Sequence, residues 1–219
     1  MTSPTRAKTK AQAPRRRMAA ADRRQAILAA ALDAFAEGGY HDIPLDRVAE
    51  RAGISKALIY EHFPSKRDLH RALLESYVWL LLERVVSASN AAPPGEERLR
   101  AGLDGFFSFV EERPDAWRML VYNVSDPAVA EWLDGLRRQV AETITERMAA
   151  EAPPGELVEG VTREVGIEMA AEQLVGAAQS LANWWAEHPE TPRESVLAIA
   201  MDFMWLGLKG VEAGERWSG

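Results

Sequence analysis

Apolar residues recur every three to four positions along most of the chain, which is the spacing of amphipathic α-helices. The first helix is predicted to begin at the N-cap Asp22 and to end at Gly38-Gly39. Its inward stripe consists of Ile27, Leu28, Ala31, Leu32 and Phe35. Two short helices, 45–52 and 56–62, follow before Pro64 interrupts the pattern.

A longer helix is predicted from its N-cap Ser65 to about Val86, before Pro93-Pro94-Gly95 ends the pattern. Helical spacing then continues over about 99–110, 117–122, 129–144, 157–185 and 192–211. Neither alternating apolar positions nor a β-hairpin signal occurs in the sequence. The fold is therefore predicted to be all-α, with about nine helices.

The segment between positions 45 and 66 has the spacing of a helix-turn-helix. Ala49 keeps the first short helix slim where the second crosses it, and Ile59 fills the apolar corner between them. Gly53 supplies the positive φ that the tight turn requires, and Ser55 is the predicted N-cap of the second helix. These offsets predict two helices that cross closely.

With Ile59 and Phe63 turned inward, the second short helix presents one face to solvent. That face consists of Ala57, Leu58, Tyr60 and Glu61, with Lys56 and His62 at its margins. We expect it to meet a DNA major groove.

Three motifs occur in register in this segment. They are Val48-Ala49-Glu50-Arg51-Ala52-Gly53-Ile54-Ser55-Lys56, Ile59-Tyr60-Glu61-His62-Phe63 and Ser65-Lys66. In these motifs, over about residues 22–70, the chain resembles the DNA-binding domain of the TetR family of bacterial transcriptional regulators. The resemblance implies a homodimer that binds a palindromic operator and releases it when a small effector binds the body. Activation or co-repression by the ligand is the alternative.

The resemblance also assigns residues to DNA contact. Tyr60, His62 and Lys66 match positions that contact phosphate in the family, and Lys56 lies where a long cation reaches a base edge or the backbone. The full predicted set is Arg47, Ser55, Lys56, Ala57, Leu58, Tyr60, Glu61, His62 and Lys66. Glu61 either accepts a hydrogen bond from a cytosine amine or points away from the DNA.

Two positions depart from the family pattern. Hydroxyl residues are common in the family at the start of the second helix and inside the third, whereas this chain has Pro44-Leu45 and Leu58 there. Arg47 is the expected replacement for the missing phosphate contacts, and Leu58 is placed to meet a thymine methyl group. The operator sequence is therefore not transferable from a relative.

Charge is distributed unevenly along the chain. Residues 1–67 contain 13 Lys and Arg against seven Asp and Glu, a balance of +6, whereas residues 68–219 have a balance of −13. We expect three parts: a disordered basic tail at 1–21, a helix-turn-helix domain at 22–68, and a helical effector-binding and dimerisation domain at 69–219. The basic third is suited to a polyanion.

Aromatic and amide side chains in the body are the predicted effector contacts. They are Phe106, Phe109, Trp117, Asn123, Trp132, Gln179, Asn183 and Trp184. Aromatic residues at helical spacing more often belong to a core than to a binding site, so ordinary packing is the alternative for each. The lining would favour a largely apolar effector, such as an acyl chain, a drug or a phenolic metabolite.

Small residues on the last two helices predict a dimer interface, because they allow helices to approach closely. They are Ala170, Ala171, Gly176, Ala177, Ala178, Gly207 and Gly210, with the bulky neighbours Leu174, Leu181, Phe203 and Leu206. The alternative is a monomer that buries these faces internally. Family members form a four-helix bundle from two such helices of each subunit.

Several function classes find no support in the sequence. There is no cysteine, and the histidines at 41, 62, 70 and 188 lack metal-site spacing. Phosphate-loop and nucleophile-elbow motifs do not occur, so we expect neither an enzyme nor a cofactor. No membrane-length apolar run or signal peptide occurs, which favours a cytoplasmic protein. A helical protein-interaction module without DNA binding is the remaining alternative.

The basic tail contains Arg6, Lys8, Lys10 and the triplet Arg15-Arg16-Arg17. If these side chains add phosphate contacts, deleting residues 1–21 will flatten the salt dependence of DNA binding. The measurement is the slope of log affinity against log salt concentration, and an unchanged slope would show that the tail only solubilises the protein.

Overall fold

The computed structural model describes residues 20–122, 127–151 and 160–212, which form nine α-helices and no β-strand. The helices are α1 (Ala20–Asp42), α2 (Leu45–Ala52), α3 (Lys56–His62), α4 (Lys66–Ala91), α5 (Glu96–Glu112), α6 (Pro114–Tyr122), α7 (Pro127–Glu151), α8 (Arg163–Glu187) and α9 (Arg193–Glu212). The all-α prediction is confirmed. Within these ranges no helix is both long enough and apolar enough to cross a membrane.

The predicted bounds of α2 and α3 are confirmed, and those of other helices shift. α1 already begins at Ala20, so Asp22 lies in its first turn and the N-cap prediction is wrong. α1 continues to Asp42, but its path is interrupted at Gly39, where φ is 78°. α4 extends beyond Val86 to Ala91, because Ser and Ala residues continue a helix after its apolar stripe ends.

The head consists of α1, α2, α3 and the first turns of α4, which share one apolar core. Ile27 and Phe35 of α1, Val48 of α2, Ile59 of α3 and Leu69 of α4 are almost completely buried there. Arg51 of α2 donates to both carboxylate oxygens of Glu37 on α1, at 2.7 and 2.8 Å. This hydrogen bond lowers the pKa of Glu37 and fixes the edge of the head.

The body is formed by α5 to α9 and the second half of α4. Among the described residues α4 and α5 share the most extensive helix contact, and α7 pairs with α8. α6 packs against α1 of the head as well as against α4, α5 and α8. Two elements therefore connect the head and the body: α4, which is part of both, and α6, which is part of the body and packs against the head.

α4 and α5 approach closely at Gly105. A Cβ atom there would lie 3.2 Å from the carbonyl oxygen of Arg84 and 3.4 Å from the Cβ of Ala88. Arg84 of α4 also donates to Ser108 at 3.2 Å and to Glu112 at 2.8 Å. The two helices are thus joined both by backbone proximity and by polar contacts along one side.

Substitution Gly105→Ala is expected to force α4 and α5 apart and to lower the free energy of unfolding by about 1–3 kcal/mol, as overpacking does elsewhere. Gly135→Ala is the matched control, because only the mobile end of Arg138 lies near its added Cβ, at 3.7 Å. The control should be neutral or stabilising because alanine favours a helix. Urea denaturation measures both, and equal effects would contradict the close approach.

Candidate DNA-binding surface and effector cavity

The turn between α2 and α3 has the geometry that its sequence requires. Gly53 adopts a left-handed conformation with φ 65° and ψ 33°, and its N–H closes the end of α2. The hydroxyl of Ser55 accepts a hydrogen bond from the N–H of Leu58 at 3.2 Å and caps α3. Ala49 is buried, and Ile59 is fully buried between the two helices. The helix-turn-helix prediction is confirmed in these details.

The outer face of α3 is open to solvent. Tyr60 is 47% exposed, Lys56, Ala57 and Glu61 are exposed, and Leu58 and His62 lie half-buried at its edges. Ser55 is exposed but its hydroxyl accepts the capping hydrogen bond. The residues predicted to face outward therefore form one surface.

Two cations of this surface already have carboxylate partners. Lys56 donates to Asp46 of α2 at 2.8 Å, and this contact raises the pKa of Lys56. Arg47 donates to Glu50 one turn along α2, at 3.0 Å. Both pairs are well exposed, and such pairs contribute only about 0–1 kcal/mol. A phosphate group can therefore replace either carboxylate at small cost.

Lys66 holds the start of α4 against the end of α1. Its Nζ donates to the backbone oxygen of His41 at 3.1 Å and lies 4.8 Å from the centroid of the Tyr40 ring. Burial lowers the pKa of Lys66. Tyr40 in turn stacks on the buried His70 of α4, with ring centroids 4.2 Å apart. This lysine is therefore a structural anchor as well as a charge near α3.

The body contains a cavity of about 1160 Å³ that is open to solvent. Most of its wall is aliphatic or aromatic and comes from α4 to α9. The residues from these helices include Leu81 and Val85, Leu99 and Phe106, Trp117 and Leu120, Leu133 and Val140, Leu174 and Ala178, and Phe203 and Met204. The cavity is large and apolar enough to enclose an elongated organic molecule.

Three of the predicted effector residues, Phe106, Trp117 and Gln179, line this cavity. Four others do not. Phe109, one turn beyond Phe106, is fully buried in the core, and Trp132 is half-buried outside the wall. Asn183 and Trp184 lie beyond Gln179, where the wall on α8 ends, and Trp184 stacks on His188 instead. Asn123 lies outside the described residues.

The sequence did not predict the charged part of the wall. Among the described residues this part contains Arg98, Arg137 and Arg147 and one carboxylate, Asp134. Arg137 is paired with Glu172 of α8 at 2.6 Å. Arg147 has no ion-pair partner among the residues that the structure describes. In the sequence, arginines directly adjoin the apolar stripes of α5 and α7, as in Arg98-Leu99 and Leu136-Arg137, and this pattern could have identified them.

Several residues predicted for dimerisation also lie in the cavity wall. They are Ala170, Leu174, Ala177, Ala178, Phe203 and Gly207. Ala171 is buried within the subunit, so its assignment to an interface is wrong. The outer surface of α8 and α9 exposes large apolar side chains, and two of these, Phe203 and Leu206, belong to the predicted interface. The others are Val165, Met169, Trp184 and Ile199.

Comparison with known proteins agrees with this arrangement. Residues 27–73 match the family described as "Bacterial regulatory proteins, tetR family", and residues 95–207 match "Tetracyclin repressor-like, C-terminal domain". The HTH-type transcriptional activator FasR of Mycolicibacterium smegmatis is 31% identical over 198 residues, which are 87% of this chain and 84% of FasR.

Solved structures have the same fold. A TetR-like transcriptional regulator from Rhodococcus sp. RHA1 superposes with a TM-score of 0.71 at 26% identity, covering 89% of this chain and all of that one. FadR from Bacillus subtilis, solved in complex with stearoyl-CoA, gives 0.65 at 18% identity over 88% of this chain and 99% of FadR. With its helix-turn-helix head and helical body, the chain belongs to the TetR family of transcriptional regulators, which are not enzymes.

Proposed function

We propose that this regulator binds a palindromic operator through the outer face of α3. The observation that carries the proposal is the open face around Tyr60, held by the left-handed turn at Gly53 and the cap at Ser55. Lys56 and Arg47 lie beside it with partners that phosphate can replace. A rigid helix flanked by cations is suited to a major groove.

The proposed operator complex contains a homodimer joined through α8 and α9. The exposed apolar side chains of these helices, such as Ile199 and Leu206, support this assignment because a subunit alone leaves them in water. A two-fold dimer would place two copies of α3 about 34–36 Å apart, which matches successive major grooves on one side of the duplex.

The proposed effector is a long-chain acyl compound with an anionic end, such as an acyl-CoA. The cavity exceeds the roughly 300–1,000 Å³ of most small-molecule sites, and its wall is mainly apolar. Arg147 supplies a cation for a carboxylate or phosphate group. The stearoyl-CoA found in FadR, which shares this fold, supports the same class.

The proposed signal passes from the cavity to the head through α4 and α6. Trp117 and Leu120 of α6 line the cavity, while α6 packs against α1 of the head. An effector that fits one arrangement of these helices better than another shifts the population of head positions and changes DNA affinity. We propose that binding releases the operator and relieves repression. Activation is the second candidate, favoured by the similarity to the activator FasR.

We expect Tyr60→Ala to weaken operator binding across sequences without changing its salt dependence, because a neutral hydroxyl releases no counterion. Lys66→Ala should weaken binding and reduce the slope of log affinity against log salt by about one per subunit. Lys56→Ala should also change sequence preference. Fluorescence anisotropy with an operator selected from genomic DNA measures these effects.

Arg71→Ala is the charge-matched control for that series, because Arg71 is exposed on α4 and paired with Glu75 at 2.9 Å. It should retain full affinity. If all three head variants bind the operator like the wild type, α3 is not the recognition helix.

For the effector, we expect stearoyl-CoA to release the operator in the same assay, whereas CoA alone should not, because it lacks the apolar chain. Arg147→Ala should raise the concentration of stearoyl-CoA needed for half-release by about ten- to a hundredfold, as expected for the loss of a charge-assisted contact of about 1.5–3 kcal/mol. No release by any long-chain acyl compound would exclude this effector class, and tighter operator binding would indicate co-repression.

A further inference from the structure

The cavity has a neutral, closed end next to the head. Trp117 and Leu120 of α6 line it there and are only 4% and 9% exposed. Leu103 of α5 and Val78, where α4 first enters the wall, are buried beside them. We call these four residues the inner end. Because α6 packs against α1, a molecule that fills the inner end touches a helix in contact with the head.

The opposite end of the cavity carries cations. Arg98 lies in the first turn of α5, beyond the end of α4 that points away from the head. Arg147 lies in the last turns of α7. Both side chains line the cavity and are half-buried, so they also contact solvent. We call Arg98 and Arg147 the outer end.

The paths of α7 and α8 place Arg147 away from the head. Arg118 of α6 donates to the backbone oxygen of Ala186 at 3.4 Å, so the last turn of α8 lies beside α6. The start of α8 is about 35 Å away along that helix. There Arg163 donates to the backbone oxygen of Ala149 at 2.8 Å, close to Arg147 on α7. The two helices are therefore antiparallel, and the outer end lies far from α6.

The wall between the two ends suits an extended chain. On α4 it runs from Val78 to Ser89, which is about 17 Å along the helix. Asp134, the one carboxylate of the wall among the described residues, lies about 20 Å along α7 from Arg147. The nearby Arg137 is already paired with a carboxylate of α8. An anionic group is therefore attracted to the outer end and repelled by Asp134.

We infer that an acyl effector binds with its anionic group at the outer end and its chain directed at α6, so that Trp117 and Leu120 sense the length of the chain. This inference rests on the effector class of the proposed function. A chain that reaches the inner end displaces these two side chains and moves α6 against α1. A shorter chain occupies the cavity without touching α6 and leaves the operator bound.

Trp117 is suited to respond to such a contact. Its ring packs edge-on against Phe106, with ring centroids 5.4 Å apart. Its buried N–H has no hydrogen-bond partner among the residues that the structure describes, so packing holds the ring in place. Closely packed side chains transmit a displacement to their neighbours, because they have little free volume into which to move.

The orientation is tested with two photoreactive stearic acids, one with a diazirine at the end of the chain and one with a diazirine beside the carboxyl group. After illumination, digestion and mass spectrometry, the chain-end label should be found on α6. The carboxyl-side label should be found near Arg98 or Arg147. Exchanged positions, or a chain-end label that is absent from α6, overturn the inference.

The sensing of length is tested with saturated acyl-CoAs of increasing length. Calorimetry measures their binding, and fluorescence anisotropy identifies the shortest chain that releases the operator at saturation. In Leu120→Trp the inner end is partly filled, so this chain should be shorter than in the wild type by at least about two carbons. Stearoyl-CoA should bind the variant about tenfold more weakly, because its last carbons have no room. Trp117→Leu enlarges the inner end, so it should require a longer chain.

Leu80→Trp is the matched control, because Leu80 is half-buried on α4 and lies outside the cavity wall. It should keep the shortest releasing chain of the wild type. The inference is overturned if Leu120→Trp and Trp117→Leu, each folded by thermal denaturation, also keep that chain length. If no acyl-CoA binds the wild type in calorimetry, the proposed effector class fails and the inference fails with it.

Discussion

The structure depends on α4 being a single helix shared by two packing units. Its first turns supply Leu69, Leu73 and Leu74 to the core of the head, and its later turns supply Val78, Leu81 and Val85 to the body. α4 and α5 pack closely at Gly105, where an added Cβ atom would lie 3.2 Å from the carbonyl oxygen of Arg84. Because packed helices shift as units, the proposed mechanism has a change in the cavity wall pass to the head as a tilt of α4.

The cations of α2 and α3 in the head are each paired with a carboxylate. Lys56, Arg47 and Arg51 all have carboxylate partners, so the free protein does not present an array of unpaired cations on α2 and α3. The pairs of Lys56 and Arg47 are exposed and weak, so a phosphate can compete for them. Lys66 differs, because its ammonium group is held against Tyr40 and the oxygen of His41 and has little freedom to move.

The helix-turn-helix was predictable because its determinants are local. A glycine at the turn and a serine two residues later fix the path of the backbone, and the structure has Gly53 and Ser55 in those roles. The cavity was not predictable to the same degree, since a core residue and a wall residue have the same helical spacing. Phe106 and Phe109 lie one turn apart, yet one lines the cavity and the other is buried. Only the three-dimensional arrangement of α4 to α9 distinguishes a wall residue from a core residue. Ala177 and Ala178 are a similar case, because their small size suggested a dimer interface, whereas in the structure they line the cavity.

We expect that filling the cavity changes the separation of the two heads in the proposed dimer. A spin label attached at Ala29→Cys, on the exposed side of α1, reports that separation by double electron–electron resonance, because the chain has no other cysteine. Saturating stearoyl-CoA is expected to shift the distance distribution away from that of the operator complex. A distribution that stays the same while the operator is released would show that release does not depend on the separation of the heads.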